Sequence, residues 1–241
     1  MGFRGVVAAA VAGASMSICA ALGPAGATDP AGGSFLIFAG TDLWRDSGFL
    51  HGGVLWSPVG LNNDGFALKL LLSGGGYDYF SGALNASVNG TLVSAAALPG
   101  WRITRDGLTV TLYAGAAAQD YQLTPSDPGS RLHGPHLGAQ LAADIWYQPT
   151  PATMVAVSGT GLSIGPTEWT RAAIGWHAFD SFFVGPEGAA FWCADYQQWR
   201  VGAHLTGWHF ATLEWAGGAG VARDSERRTG PYVRLGFNAR Y

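Results

Sequence analysis

Apolar residues recur at every second position along much of this chain. The last nine residues show it most plainly, with Val233, Leu235, Phe237, Ala239 and Tyr241 alternating with Arg234, Gly236, Asn238 and Arg240. A helix would spread those charges over its apolar face, whereas a strand separates the two sets onto opposite sides. Leu137, Ala139, Leu141, Ala143, Ile145 and Tyr147 repeat the pattern against His136, Gly138, Gln140, Ala142, Asp144 and Trp146. Phe66, Leu68, Leu70 and Leu72 flank Lys69, and Leu108, Val110, Leu112 and Ala114 oppose Thr109, Thr111 and Tyr113. Arg171, Gly175 and His177 face away from Ala172, Ile174 and Trp176, as Arg200, His204 and Thr206 do from Val201, Ala203 and Leu205. Such segments predict about twelve strands of roughly 10 residues. They start near Phe35, Gly48, Gly65, Thr91, Leu108, His136, Thr153, Thr167, Phe182, Arg200, Leu213 and Gly230. Gly74-Gly75-Gly76 and the stretch 85–89 allow several registers, so counts of about ten or fourteen stay open.

Connection lengths refine the picture. With a periplasmic N-terminus the odd connections face outward, and the three longest polar stretches, 74–90, 119–135 and 223–230, all fall there. The even connections are tight, apart from 57–65. Short turns at one end and long loops at the other mark outer-membrane barrels. Trp44, Trp56, Trp101, Trp146, Tyr147, Trp169, Trp199, Trp215 and Tyr232 lie near expected strand ends and fit two interfacial aromatic girdles. The expectation is an all-β, antiparallel up-and-down transmembrane β-barrel, whose closed sheet leaves no edge in lipid. A secreted β-sandwich would explain the alternation equally well, but not the scarcity of charge on the second face.

Composition supports the membrane reading. Only 12% of residues are charged, about half the usual share, against 37 Gly, 10 Trp, 8 Tyr and 12 Phe. A net charge of −3 gives no basic excess for nucleic acid. Arg4, the apolar stretch 6–22 and the small residues Ala25-Gly26-Ala27 predict a signal peptide over 1–27, leaving 28–241 as a single barrel domain in the outer membrane of a Gram-negative bacterium. Ile18 before Cys19 argues against a lipid anchor. Cleavage would leave Cys193 as the sole thiol, excluding an intramolecular disulfide and cysteine-based zinc sites.

The polar strand faces are then the lumen lining: Lys69, Gln140, Asp144, Arg171, His177, Glu187, Asp195, Arg200, His204, Arg234, Asn238 and Arg240. Both signs are present, so opposite charges should pair across a narrow lumen and fill it. The alternative is a polysaccharide passage in which Trp44, Trp146 and Trp192 stack on sugars, although Trp192 is on the wrong face if Asp195 points inward. Lumen-facing glycine would relieve crowding. Outward Val233, Leu235, Phe237 and the terminal Tyr241 fit a signal for the outer-membrane assembly machinery.

Catalytic patterns are absent. None of His51, His133, His136, His177, His204 or His209 is followed two places later by serine; His204-Leu205-Thr206 is the nearest approach. There is no Gly-x-Ser-x-Gly elbow. His133 and His136 with Asp127 form a polar loop rather than a metal site. Glu187 and Asp195, with Asp42 or Asp144, are the candidates for a glycosidase carboxylate pair, and lumen salt bridges are the better account of them. No catalytic residue, metal or cofactor is expected, and the chain reads as a non-enzyme.

Phe38-Ala39-Gly40-Thr41-Asp42, Gly185-Pro186-Glu187, Arg200-Val201-Gly202-Ala203-His204 and Gly230-Pro231-Tyr232 together resemble the BcsS family, exported proteins associated with bacterial cellulose biosynthesis. The resemblance spans almost the whole mature chain. It implies an accessory role in making or exporting cellulose, as scaffold, docking site or minor conduit, and supplies no catalytic residues. Implied partners are outer-membrane lipid and lipopolysaccharide, the assembly machinery, and cellulose or cellulose-synthase components. The competing expectations are a small pore or structural barrel unrelated to cellulose, and an enzyme acting on lipid or glycan.

Overall fold

A computed structural model describes residues 33–241, except 46, 180, 194 and 195. The leader expected over 1–27 lies outside the described residues. Twelve antiparallel strands follow one another in sequence order: β1 (Phe35–Trp44), β2 (Ser47–Trp56), β3 (Gly65–Ser81), β4 (Ala86–Arg105), β5 (Leu108–Thr124), β6 (Gly134–Thr150), β7 (Thr153–Leu162), β8 (Thr167–Ala178), β9 (Phe182–Cys193), β10 (Tyr196–Phe210), β11 (Leu213–Asp224) and β12 (Thr229–Arg240). Each pairs with its neighbour, and β1 closes on β12 from Leu36 opposite Arg240 to Trp44 opposite Tyr232. Closure is what lets every ladder group find a partner within apolar surroundings.

The alternation read from the sequence becomes an inside and an outside. Leu50, Leu72, Leu112, Leu141, Val201 and Leu235 are exposed on the outer face, while their strand neighbours are buried within. Apart from the connection 57–64, tight turns serve the terminal end, where Phe35 meets Tyr241. At Asp106-Gly107 both residues have positive φ, 43° and 81°, the geometry of a two-residue type I′ hairpin. A Cβ on Gly107 would also stand 2.6 Å from the Gln148 carbonyl oxygen.

Two expectations need correction. The stretches 74–90 and 119–135 are mostly strand rather than loop: β3, β5 and β6 run 17 residues each and β4 runs 20. The glycines there accommodate rings. A Cβ on Gly75 would fall 2.4 Å from the Phe49 ring, and one on Gly90 2.2 Å from that of Tyr77. A tilted strand of that length rises about 50 Å, twice the apolar belt of an outer-membrane barrel. The β3–β6 wall therefore projects beyond the belt at the end opposite the termini. The second correction concerns the aromatic girdles. Trp101, Trp199 and Tyr147 are exposed on the outside, and Trp56 and Trp215 are half-buried, but Trp44, Trp146, Trp169 and Tyr232 point inward and are buried. Strand parity, not nearness to a strand end, decides which side a ring occupies.

Candidate functional site: the lumen

Inside the barrel, two walls differ in chemistry. Along β8–β12 and β1 the inward positions carry an ion-paired network. Arg171 donates to Glu187 Oε2 through Nε at 2.9 Å and Nη2 at 2.7 Å. Arg234 Nη2 reaches the same oxygen at 2.5 Å, and the Tyr232 hydroxyl donates to Oε1 at 2.9 Å. One carboxylate thus joins β8, β9 and β12. Gly218 makes room for it, since a Cβ there would lie 2.1 Å from Glu187 Oε1. Arg200 spans from β10 to β1, donating through Nη1 to both oxygens of Asp42 at 2.8 and 2.7 Å. Its Nε donates to Gln198 at 2.7 Å, and its guanidinium lies 5.2 Å from the Tyr232 ring centre. Charges buried to this degree persist only when paired and hydrogen-bonded.

Along β1–β7 the inward face is mainly apolar. Leu36, Phe38, Phe49, Leu55, Leu71, Tyr77, Tyr79, Leu92, Leu98, Tyr113 and Tyr121 form one buried cluster. Its polar insertions include Arg102, Gln119 and Lys69, the last pairing with Asp144 and sitting 4.2 Å from the Tyr113 ring centre.

A connection reaches inward at each end of the barrel. At the terminal end the connection 57–64 tucks Leu61 into the cluster, held by its amide on the Gly33 carbonyl at 3.0 Å and by the buried Arg102 donating to its own carbonyl. Asp64 anchors the loop by accepting from the Thr104 amide at 2.7 Å and pairing with Arg105 at 2.5 Å. At the opposite end, loop 125–133 folds inward through Asp127, which accepts from the Tyr79 hydroxyl and the Gly129 amide at 2.9 Å each. Leu132 and Ile164 pack onto the same cluster beneath it.

Of the twelve lumen residues expected from sequence, Lys69, Gln140, Asp144, Arg171, Glu187, Arg200, His204, Arg234 and Asn238 are buried inside. His177 has the inward parity but is exposed at the rim, stacked on Phe183 at 4.8 Å, and Arg240 is half-buried near the same mouth. Asp195 lies outside the described residues. Val233, Leu235 and Tyr241 are exposed and Phe237 is half-buried. Trp192 is turned outward against Trp199, edge to face at 5.1 Å. Sequence reasoning left His51, Arg102 and Gln198 out of the lining and named Asp42 only among the carboxylates that lumen salt bridges would account for. Their inward parity was the available signal, obscured where both strand faces are apolar.

The network shows how these groups are employed. His204 Nε2 meets the Ile174 carbonyl at 3.1 Å and Nδ1 meets Thr206 Oγ1 at 3.0 Å, so the ring braces β8 to β10. Asp42 and Glu187 are each committed to arginine. Cys193 Sγ lies 3.2 Å from the Gly165 carbonyl and accepts from Thr167 at 3.4 Å, so the thiol serves packing. No group of three or more metal-ligating side chains occurs among the described residues.

Comparison with known proteins agrees with this geometry. No curated sequence matches. Among solved structures, the TodX deltaS2S3 mutant monoaromatic hydrocarbon channel is similar at TM-score 0.53 and 8% identity, over 88% of this chain and 91% of that one. The KdgM porin is similar at TM-score 0.46 and 13% identity, over 86% and 99%. The beta domain of the Bordetella autotransporter Brka is similar at 0.49 and 10%, over 88% and 100%. The likeness is one of fold, the outer-membrane barrel. The profile described as cellulose biosynthesis protein BcsS matches residues 36–241. The chain belongs to the BcsS family of cellulose biosynthesis proteins.

Proposed function

We propose that this cellulose-biosynthesis barrel is a closed, non-enzymatic scaffold or docking body rather than a free conduit. The supporting observation is the paired charge buried in the lumen: Glu187 tied to Arg171 and Arg234, and Asp42 to Arg200. Side chains paired across the lumen in this way narrow the room for a chain of sugars, which favours a scaffold over a conduit. On this reading the terminal end faces the periplasm of a Gram-negative cell, reached by way of the leader expected at 1–27. The projecting β3–β6 wall faces outward. The outer surface meets membrane lipid, and the outward residues of β12 offer the assembly machinery its signal. Cellulose-synthase components are the partners a scaffold would dock. The test is a deletion strain stained for cellulose, complemented with the wild-type chain, alongside conductance of the purified barrel in planar bilayers. Loss of cellulose together with low conductance is the expected pair of results. Normal cellulose in the deletion strain overturns the accessory role, and a large steady conductance overturns the closed scaffold.

A further inference from the structure

The outer face of β3–β5 changes character along its length. On β4, Val93, Ala95, Ala97, Pro99 and Trp101 point outward and match the 9 to 11 residues, roughly, of one bilayer crossing. Beyond Val93 the same outward face turns polar, with Thr91, Asn89 and Ser87 all exposed. The neighbours match in register: Thr91 stands opposite Gln122 of β5, and Asn89 opposite Asp78 of β3. The Asn89 amide donates to Asp78 at 2.8 Å, and the Gln122 amide approaches Asp120 at 3.4 Å. Asp78 is exposed and Asp120 half-buried, each with one carboxylate oxygen engaged by a carboxamide. Among them stands Phe80, 58% exposed and above the lipid belt, where burial in hydrocarbon gives no reason for a phenyl ring.

We propose that this projecting face is a binding platform for a neutral β-glucan chain. The inference rests on the cellulose-associated reading above and names the ligand of one surface. Sugar hydroxyls both donate and accept, which suits carboxylate oxygens beside carboxamides, and the C–H face of a sugar ring suits an exposed aromatic ring. Charge excludes the main competitors. Residues 72–95 and 116–130, the β3–β5 part of the projection, contain Asp78, Asp120 and Asp127 and neither Lys nor Arg, the nearest cation in sequence being Arg131 in the loop that follows. Such a surface repels phosphates and polyuronates rather than attracting them. A second copy of the chain would need apolar area that Phe80 alone does not supply. The strands are hydrogen-bonded in register, so the array is rigid before a ligand arrives, which lowers the entropic cost of binding.

The experiment is co-sedimentation of the full chain, purified in detergent, with amorphous cellulose and with polygalacturonate. The wild type should be retained on cellulose and not on the polyuronate. Combined Phe80→Ala, Asn89→Ala and Gln122→Ala should lower retention about tenfold, the loss expected for one stacking contact and a few net hydrogen bonds. All three positions are exposed, so the band of the unheated protein on gels should be unchanged. Absent wild-type retention, equal retention by the triple variant, or equal retention on polygalacturonate overturns the platform. None of these outcomes alters the staining of a deletion strain, on which the accessory role separately stands or falls.

Discussion

The two walls of the lumen solve the same problem in different ways. Every inward position must be filled, and β2–β6 do so with rings laid over glycine on the adjoining strand: Tyr77 over Gly90, Phe49 over Gly75, Tyr113 over Gly100. Those contacts are local. The opposite wall uses charge, and its bonds reach strands that do not adjoin, from Asp42 on β1 to Arg200 on β10 and from Glu187 on β9 to Arg234 on β12. The apolar wall fills space and stiffens neighbouring pairs, whereas the charged wall fixes the cross-section of the barrel. A buried ion pair demands its partner in a way that a buried ring does not.

The comparison breaks hardest at Glu187. Glu187→Gln leaves Arg171 and Arg234 facing each other without their shared counter-charge, a loss of about 3 to 5 kcal/mol on the usual scale for one-sided removal of a buried partner. Urea unfolding in lipid vesicles measures it, and conductance in planar bilayers should rise as the network loosens. The matched test on the other wall is Leu92→Ala. Leu92 is fully buried, and its truncation should cost about 3 kcal/mol with little change in conductance, because the gap is enclosed by the projecting sheet. Equal conductance changes in the two variants would remove the distinction between the walls.

Much of this was legible in the sequence, and unevenly so. The strand starts agree closely because a half-lipid, half-lumen strand writes a period-two pattern, although β4 begins at Ala86 rather than near Thr91 and β10 at Tyr196 rather than near Arg200. The charged wall was readable because polar lumen residues contrast with apolar outer ones: Arg171, Glu187, Arg200 and Arg234 were all expected inside. The apolar wall lacks that contrast. On β1 the inward set is Leu36, Phe38, Gly40, Asp42 and Trp44, hardly more polar than the outward Ile37, Ala39 and Leu43. Trp44 was accordingly left open between an interfacial girdle and the lumen, and Asp42 appeared only among candidate lumen carboxylates rather than in the lining. The connections that reach inward at the two ends depend on contacts far apart in sequence, such as Leu61 with Arg102, which no local pattern announces.

Glycine sharpens the contrast at smaller cost. Gly218→Ala would push a methyl group into Glu187, and Gly90→Ala would push one into the Tyr77 ring. Each should cost about 1 to 3 kcal/mol through overpacking. A double-mutant cycle separates them. With Glu187→Ala in the background, Gly218→Ala should lose most of its cost, Arg234 Nε at 2.9 Å being the remaining close atom and one at the far end of a flexible side chain, whereas Gly90→Ala should retain its full effect. Additivity at Gly218 would mean that its clash is with something other than the carboxylate.

The smallest effect concerns a polar latch on the apolar side. Burial of the Asp127 carboxyl opposes ionisation, but the Gly129 amide and the Tyr79 and Ser81 hydroxyls together hold its pKa below the ordinary aspartate value. A carboxyl with a depressed folded pKa stabilises the folded form above its unfolded value and loses that contribution as pH falls through the lower one. Loop 125–133 should therefore stay latched at neutral pH and loosen below about pH 4. Amide exchange in the loop, corrected for its intrinsic pH dependence, should accelerate over that window in the wild type. In Asp127→Asn it should be faster at neutral pH and show no such step. A step that survives in the variant would assign the acid sensitivity to another group. The roof over the ring-filled wall would then be held by the packing of Leu132 and Ile164 alone, as the wall beneath it is.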